Sequence, residues 1–376
     1  MISGKIGING AGIGGLAAAI ALRKLGMDVV VYEQAARFAR VGADINLTPN
    51  AVRALDGLGI GDALRATAAR PTHRISRTWD TGEETSRLAM SDEAERRYGA
   101  PQLTMHRGDL MSALEAAVPA AHVKLGRKAI GIVPRENGAT VQFADGSSDD
   151  VDVLIGADGI HSVVRRAILG EEHPIFTGVV AYRAVVPAER LAGVPNIGAF
   201  TKWWGPEATS QIVTFPLNRG REIFVFATVA QESWRNESWT TPGRVEDLRA
   251  AYAGFHPDAR ALLDACDDVL ISALYVRDPL PTWSAGRVTL MGDACHPMMP
   301  FMAQGAGMAI EDGVVLARCL SDASPDDIPA ALARYQRARH ERTSRIQIGS
   351  RGNEWLKAGG NADWVYDYDA WNVPLH

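Results

Sequence analysis

The stretch KIGINGAGIGGLAAAIALRKLGMDVVVYE, residues 5–33, decides the fold. KIGIN (5–9) is a short apolar strand that runs into a glycine-rich turn. LAAAIALRKLG then carries Leu16, Ile20 and Leu25 on related faces of a helix, which Gly26 ends. VVVY (29–32) is a continuous β-branched run of the kind that fills a buried parallel strand. The chain therefore opens on a βαβ unit. Gly10, Gly12 and Gly15 form G-x-G-x-x-G at the strand-to-helix junction. Gly10 permits the tight turn, Gly12 lets a pyrophosphate approach the backbone, and Gly15 lets the helix pack close to the strand. The helix N-terminus at Ile13 and Gly14 offers free N–H groups and the positive end of its dipole. Glu33 closes the second strand with Gln34 beside it, and its carboxylate suits the hydroxyls of an adenosine ribose. A dinucleotide site follows, with NAD and FAD both open.

Outward from this unit the pattern changes. TGVVAYRAVVP (177–187), SQIVTFPL (210–217) and EIFVFATV (222–229) read as strands separated by turn signals, with no helix-length pattern between them. That favours a mostly antiparallel sheet inserted into an α/β domain. RVTLMGD (287–293) is again a strand, and 304–320 and 326–348 read as helices. The basic-rich stretch 333–345 reads as a solvated helix face.

The chain has 376 residues, enough for two domains or for one with a large insertion. Its net charge of −5 and the lack of a Lys/Arg stripe argue against nucleic acid as a partner. No apolar run reaches the length of a membrane span. Three cysteines, Cys266, Cys295 and Cys319, lack metal-ligand spacing and suit a reduced, cytoplasmic protein with no metal site.

Two later motifs choose between the dinucleotides. VDVLIGADGIHSVVRR (151–166) runs an apolar strand into Asp158-Gly159. RVTLMGDACHPMMPFMAQGAGMAIED (287–312) delivers Asp293 at the C-terminal end of a strand, where ligands sit in open α/β sheets. With these motifs in this order the chain resembles the single-component FAD-dependent aromatic hydroxylases related to p-hydroxybenzoate hydroxylase. The resemblance implies FAD as cofactor, with Asp293 on its ribityl chain, Asp158 near its pyrophosphate and Arg107, in LTMHRGDL (103–110), against it. It extends the cofactor contacts to Ala129, Pro300, Gly305 and Ala306. The turn before the helix at Gly305 would sit beside the flavin, where its N–H groups favour negative charge on the reduced ring. Only one full G-x-G-x-x-G is present, which fits NADH or NADPH docking transiently.

The expected architecture is thus α/β. A discontinuous Rossmann-like FAD-binding domain takes 1–75, 101–172 and 280–350, and C-terminal helices belong to it. An inserted, mostly antiparallel β-sheet substrate domain takes 76–100 and 173–279, and a tail runs over 351–376. Within the family, IGADGIHSVVR, TKWWGPE (201–207), the Asp293 motif and WVYDYDAW (364–371) are similar to the hydroxynicotinate 3-monooxygenases, with the salicylate 1-monooxygenases as more distant kin. This implies hydroxylation of a small hydroxylated aromatic or pyridine carboxylate by O2 through a flavin C4a-hydroperoxide, with loss of CO2 where the attacked carbon bears the carboxylate. A salicylate-type decarboxylating hydroxylase is the alternative within the class, and a flavin reductase or dehydrogenase without oxygen transfer or a flavin-binding protein without turnover are the alternatives of another class.

The departures fall on the substrate side. Where the hydroxynicotinate enzymes carry a His in G-A-G-I-H-x-x-P-N, the loop here is Gly42-Ala43-Asp44-Ile45-Asn46, continuing to Asn50. Their His and Tyr on the strand after the Trp pair correspond to Thr209 and Val213 in ungapped alignment. None of these replacements at 46, 209 or 213 is a general base near neutral pH. Asn46, Tyr182 and Thr209 are the candidate substrate-pocket residues. Of Trp203 and Trp204, neighbours on a strand, at most one points into the pocket. His296 and Cys295 read as loop and packing residues. The Trp-rich C-terminal segment (Trp355, Trp364, Trp371) could cover the pocket or pack against a second copy in a homodimer.

Overall fold

Short β-branched strands that end on glycine turns build the first layer. Its six-stranded sheet runs in the order Ser284–Ala285, Val288–Leu290, Val153–Gly156, Lys5–Asn9, Asp28–Tyr32, Val123–Lys124. All neighbours are parallel except the first pair, a hairpin. The computed structural model describes residues 4–38, 44–234, 241–352 and 362–375, so Gly42, Ala43 and Trp355 lie outside the described residues. The Ile13–Lys24 and Gly305–Ser321 helices pack together closely enough that a Cβ on Gly313 would stand 2.8 Å from the Ala18 nitrogen. A three-stranded antiparallel sheet, Ser148–Val151, Gly138–Phe143 and Ala129–Arg135, flanks this layer.

The second layer is an eight-stranded sheet ordered Thr241–Gly243, Val269–Val276, Ile175–Pro187, Glu222–Ala230, Gln211–Leu217, Phe200–Trp204, His73–Thr78, Glu84–Ala89. It is antiparallel except where Phe200–Trp204 runs parallel to His73–Thr78. The boundary expected at 75/76 cuts that His73–Thr78 strand. Two helices that the sequence pattern does not announce, Val245–Ala251 and Pro257–Asp264, cover one face of the sheet. Their apolar residues join Val180, Tyr182, Trp203, Ile212 and Ala227 in one core. The opposite face carries Val179, Ala181, Phe200, Val213, Phe215, Phe224 and Phe226 against Met299 and Phe301 of the first layer. The layers are tied where Thr104 Oγ1 donates to the Pro216 carbonyl (2.6 Å) and His106 Nε2 meets Glu222 Oε2 (2.8 Å).

Candidate active site

The groove between the layers starts at the glycine turn. Gly10 adopts φ +110°, and a Cβ there would lie 2.4 Å from the Ala157 carbonyl oxygen. At Gly15 a Cβ would come within 1.9 Å of the Gly10 oxygen, so the helix start sits on the turn. At Gly12 a Cβ would meet nothing within 4 Å, so the chain there borders open space. No acidic residue occupies the first turn of the Ile13–Lys24 helix, whose N–H groups face that space. The cradle therefore fits a pyrophosphate. Glu33 is oriented by the turn itself. Its Oε2 accepts the Ala11 N–H (3.0 Å) and its Oε1 the Ala35 N–H (2.8 Å), while Gln34 is exposed beside it. The Arg127 N–H bonds the Glu33 carbonyl (2.8 Å), two residues before the Ala129–Arg135 strand begins.

Asp158 serves the site indirectly. It accepts Asn9 Nδ2 (2.9 Å), Ser162 Oγ (2.5 Å) and the Val163 N–H (2.8 Å). The carboxylate thus caps the Val163–Leu169 helix and pins the Asp158-Gly159 loop under Gly10. Burial raises its pKa against the pull of these donors. Arg165, almost fully buried, bonds the Ile160 carbonyl (2.6 Å) and the Ala294 carbonyl (3.1 Å), joining this loop to the next one.

Asp293 lies in a one-turn helix, Gly292–Ala294, immediately after the Val288–Leu290 strand, and opens into the groove. Surrounding protein lifts its pKa, opposed by His296 and Arg107. Arg107 stands at the first position of the Arg107–Ala117 helix, near enough for its charge to act on Asp293. Pro300, Gly305 and Ala306 follow in the turn and helix start that border the groove. The first turn of the Gly305–Ser321 helix also lacks an acidic residue.

Beneath these loops lies a buried polar network that sequence reasoning missed. Asn50 Nδ2 donates to Gln304 Oε1 (3.0 Å) and to Glu311 Oε1 (2.6 Å), and Gln304 Nε2 donates to Thr48 Oγ1 (2.8 Å). Asp312 accepts the Gly292 N–H (3.0 Å), bonds His296 Nε2 (2.6 Å) and pairs with Arg339 Nε (2.8 Å). His296 and Arg339 hold its carboxyl down at about 2 despite burial. Arg339 also reaches Glu311 (2.7 Å), as does Arg342 (2.9 Å). The stretch 333–345 is a solvated face only in part: Arg337, Glu341 and Arg345 are exposed, whereas Arg339 and Arg342 turn inward to two carboxylates with no exposed surface. The signal was available in Glu311-Asp312 followed by Arg339 and Arg342, but nothing local pairs them. His296 is buried in this network, and burial pushes the Cys295 thiol well up, as suits packing residues.

The substrate-side candidates separate. Asn46 is half-buried on the Ile45–Leu47 strand, and its Oδ1 accepts Gln102 Nε2 (2.6 Å). This commits the carbonyl oxygen and leaves the amide hydrogens as what Asn46 offers. Tyr182 lies on the other face of the sheet, among the residues covered by the Val245–Ala251 and Pro257–Asp264 helices. It is not brought to the groove, because strand alternation turns its neighbour Arg183 there instead. Thr209 is in the turn before the Gln211–Leu217 strand rather than on it. Of the Trp pair, Trp204 faces the groove beside Lys202, while Trp203 stacks on His256 at 5.8 Å on the far face. Lys202, Arg183 and Asp44 are further groove residues missed in the sequence. Asp44, half-buried, has its pKa raised to about 6 by burial, against the opposing charges of Arg183, Arg107 and His106. Trp371 of the tail packs on the first layer and bonds the Ala54 carbonyl (3.0 Å).

Among the described residues no helix is long and apolar enough to cross a membrane, and no group of three His, Cys, Asp or Glu could hold a metal ion. The model of the FAD binding domain family matches residues 4–348. The chain is 41% identical over 375 residues to 6-hydroxynicotinate 3-monooxygenase of Pseudomonas fluorescens, covering 99% of this chain and 97% of the relative. It is 38% identical over 348 residues to 3-hydroxybenzoate 6-hydroxylase of Polaromonas naphthalenivorans (strain CJ2), covering 92% and 86%. Among solved structures, a salicylate hydroxylase substrate complex matches with a TM-score of 0.85 at 29% identity, over 97% of this chain and 96% of that one. The glycine cradle and this match along almost the whole chain agree, and the chain belongs to the FAD binding domain family, among its aromatic-ring monooxygenases.

Proposed function

We propose that this protein uses NADH or NADPH and O2 to hydroxylate a small hydroxylated aromatic or pyridine carboxylate of the 6-hydroxynicotinate type. The observation that carries this reading is the groove itself. Met299 packs against Phe200, Val213 and Phe226 of the sheet, the same sheet face carries Lys202 and Arg183, and the Arg183 charge acts on Asp44. Apolar surface with a few convergent polar groups suits a flat ring bearing ionisable substituents.

The Gly12 cradle, Glu33, Arg107 and Asp293 would hold FAD, which when bound would relay two electrons from the nicotinamide to O2, so that one oxygen atom of O2 goes to the ring and the other leaves as water. The chain's own residues do the rest. Asn46 donates to a ring oxygen or nitrogen, and the aromatic wall orients the ring and keeps water away. Asp44 stands where a ring hydroxyl could pass its proton to a carboxylate oxygen, a role the amide at Asn46 cannot take. The three cysteines, all free and buried, are compatible with a cytoplasmic setting.

The test is to reconstitute the purified protein with FAD and follow NADH and NADPH oxidation with a panel of hydroxypyridine and hydroxybenzoate acids, with product mass. A product heavier by one oxygen, or with carboxyl replaced by hydroxyl, supports the reading and distinguishes simple from decarboxylating hydroxylation. Nicotinamide oxidation that gives only hydrogen peroxide with every acid would sink it.

A further inference from the structure

A ring bound between the two layers needs a way in, because Val213 and Phe226 on the sheet face there keep only 9% and 8% of their surface. The same sheet continues to its edge strands, His73–Thr78 and Glu84–Ala89. At that edge lies a cavity of about 490 Å³. Leu88 and Ala89 of the edge strand, Ala94, Arg97 and Tyr98 of the Ser91–Tyr98 helix, and Tyr366 of the tail line its outer part. Ala89 and Arg97 are exposed, so the cavity meets solvent on this side. The tail is fastened over it. Asp363 accepts from Tyr98 Oη (2.6 Å) and from Arg97 (2.7 Å), and the Tyr98 and Tyr366 rings meet edge to face at 5.7 Å.

Three further lining residues form the inner end, and each leads to the groove. Arg74 is the register partner of Phe200, so it projects from the same face of the sheet, with its guanidinium 5.5 Å from the centre of the Phe200 ring. Met90, 6% exposed, joins Phe200, Val213, Phe226 and Met299 in one apolar cluster. Gln102, 2% exposed, donates to Asn46 (2.6 Å), the residue given above to a ring oxygen or nitrogen. Met90 and Gln102 thus touch the cavity on one side and the residues of the groove on the other.

The size and lining suit the passage of a ring acid. The volume lies in the range of small-molecule sites, and Leu88, Ala89 and Ala94 give it apolar sides. Met90 is a partition that can yield, being unbranched with three rotatable bonds. At the rim Arg97 is paired with Asp363 and Glu93 with Arg96, so an anion is neither captured nor repelled there. A cavity of about 200 Å³ beside the Val163–Leu169 helix, by contrast, shares none of its lining residues with the apolar cluster of the sheet face.

We propose that the cavity at the sheet edge is the entry chamber through which the ring acid reaches the groove, passing between Met90 and Gln102. The assignment rests on the hydroxylation reading above but is testable by binding kinetics alone.

An obstacle on a route slows entry and escape equally and leaves the equilibrium unchanged, whereas a change in the site itself shifts the equilibrium. The holoenzyme and its Ala89→Trp and Ala94→Phe variants are mixed rapidly with 6-hydroxynicotinate, without nicotinamide, and the flavin absorbance is followed to give association and dissociation rates. Ala89 is exposed, so its replacement is compatible with the fold, and FAD content equal to the wild type confirms this for each variant. Filling the chamber should slow association and dissociation by the same factor, about tenfold. Kd should stay within about twofold of the wild type. Rates unchanged in both variants overturn the proposal. So does a change confined to one of the two rates, which would make the cavity part of the binding site rather than the way to it. Equal slowing of both rates with no hydroxylated product in turnover keeps the chamber and rejects the hydroxylase reading. A wild type that binds neither 6-hydroxynicotinate nor any other acid of the panel above rejects both.

Discussion

Arg339→Met tests whether the buried ion network holds the flavin loops in place. Arg339, Glu311 and Asp312 have no exposed surface, and Arg339 contacts the carboxylates at 2.7 and 2.8 Å. Breaking a buried pair by removing one partner costs about 3–5 kcal/mol, because the other charge stays behind without its counterion. Both carboxylates retain help here. Glu311 keeps Arg342 and Asn50, and Asp312 keeps His296 and the Gly292 N–H. Methionine also preserves much of the buried stem. The expected loss is therefore near the lower end, about 3 kcal/mol. An unfolding entropy of about 2.1 cal/mol/K per residue gives roughly 0.8 kcal/mol/K for this chain, so the melting temperature should fall by about 4 °C. Because the network holds Gly292 at the start of the Asp293 turn and Asn50 in the first turn of the Pro49–Leu58 helix, FAD affinity should fall with it. The assay is thermal and urea unfolding of the apoprotein, with FAD titration by flavin fluorescence. Adding Asp312→Asn should return at least half of the lost stability, since the stranded charge is then removed. A loss below about 1 kcal/mol with unchanged FAD affinity would refute the reasoning.

Other outcomes follow from single residues. Gly12→Val should leave apoprotein melting nearly unchanged yet weaken FAD at least about tenfold by filling the pyrophosphate cradle. Gly15→Ala should destabilise the apoprotein as well, since its Cβ would press on the Gly10 oxygen. Asp44 has a folded pKa raised to about 6, above the ordinary carboxylate value of 3.8. Its contribution to apoprotein stability is therefore complete below about pH 4 and is lost as pH rises through about 6, roughly 1–3 kcal/mol for a half-buried group. Asp44→Asn should flatten that part of the stability profile measured by urea unfolding across pH 4–7, and an unchanged slope would remove Asp44 as its source. Tyr182→Phe should change kcat/KM less than about twofold, because the hydroxyl lies on the helix-covered face of the sheet. A larger loss would place Tyr182 in the chemistry after all.

What the sequence determined by itself is the part of the protein whose information is local. The turn at Gly10, the helix at Ile13, the strand before Glu33 and the Asp293 loop each lie within a few residues of the backbone geometry they require. Their order along the chain was enough to identify the cofactor. The substrate side was different for a physical reason. Phe200–Trp204 and Gln211–Leu217 are buried at every position, because groove and helices cover the two faces of the sheet. With both faces buried, no polar alternation marks which residues look into the groove. A shift of one residue exchanges Tyr182 for Arg183 and Trp203 for Trp204, and only the register of the folded sheet decides it. Likewise Arg339 lies 27 residues beyond Asp312 in the chain, and only the packing of two helices makes a basic stretch into a buried counterion. The tertiary structure thus turned the substrate question from Tyr182 to Arg183 and Asp44, beside Asn46, which the sequence already named.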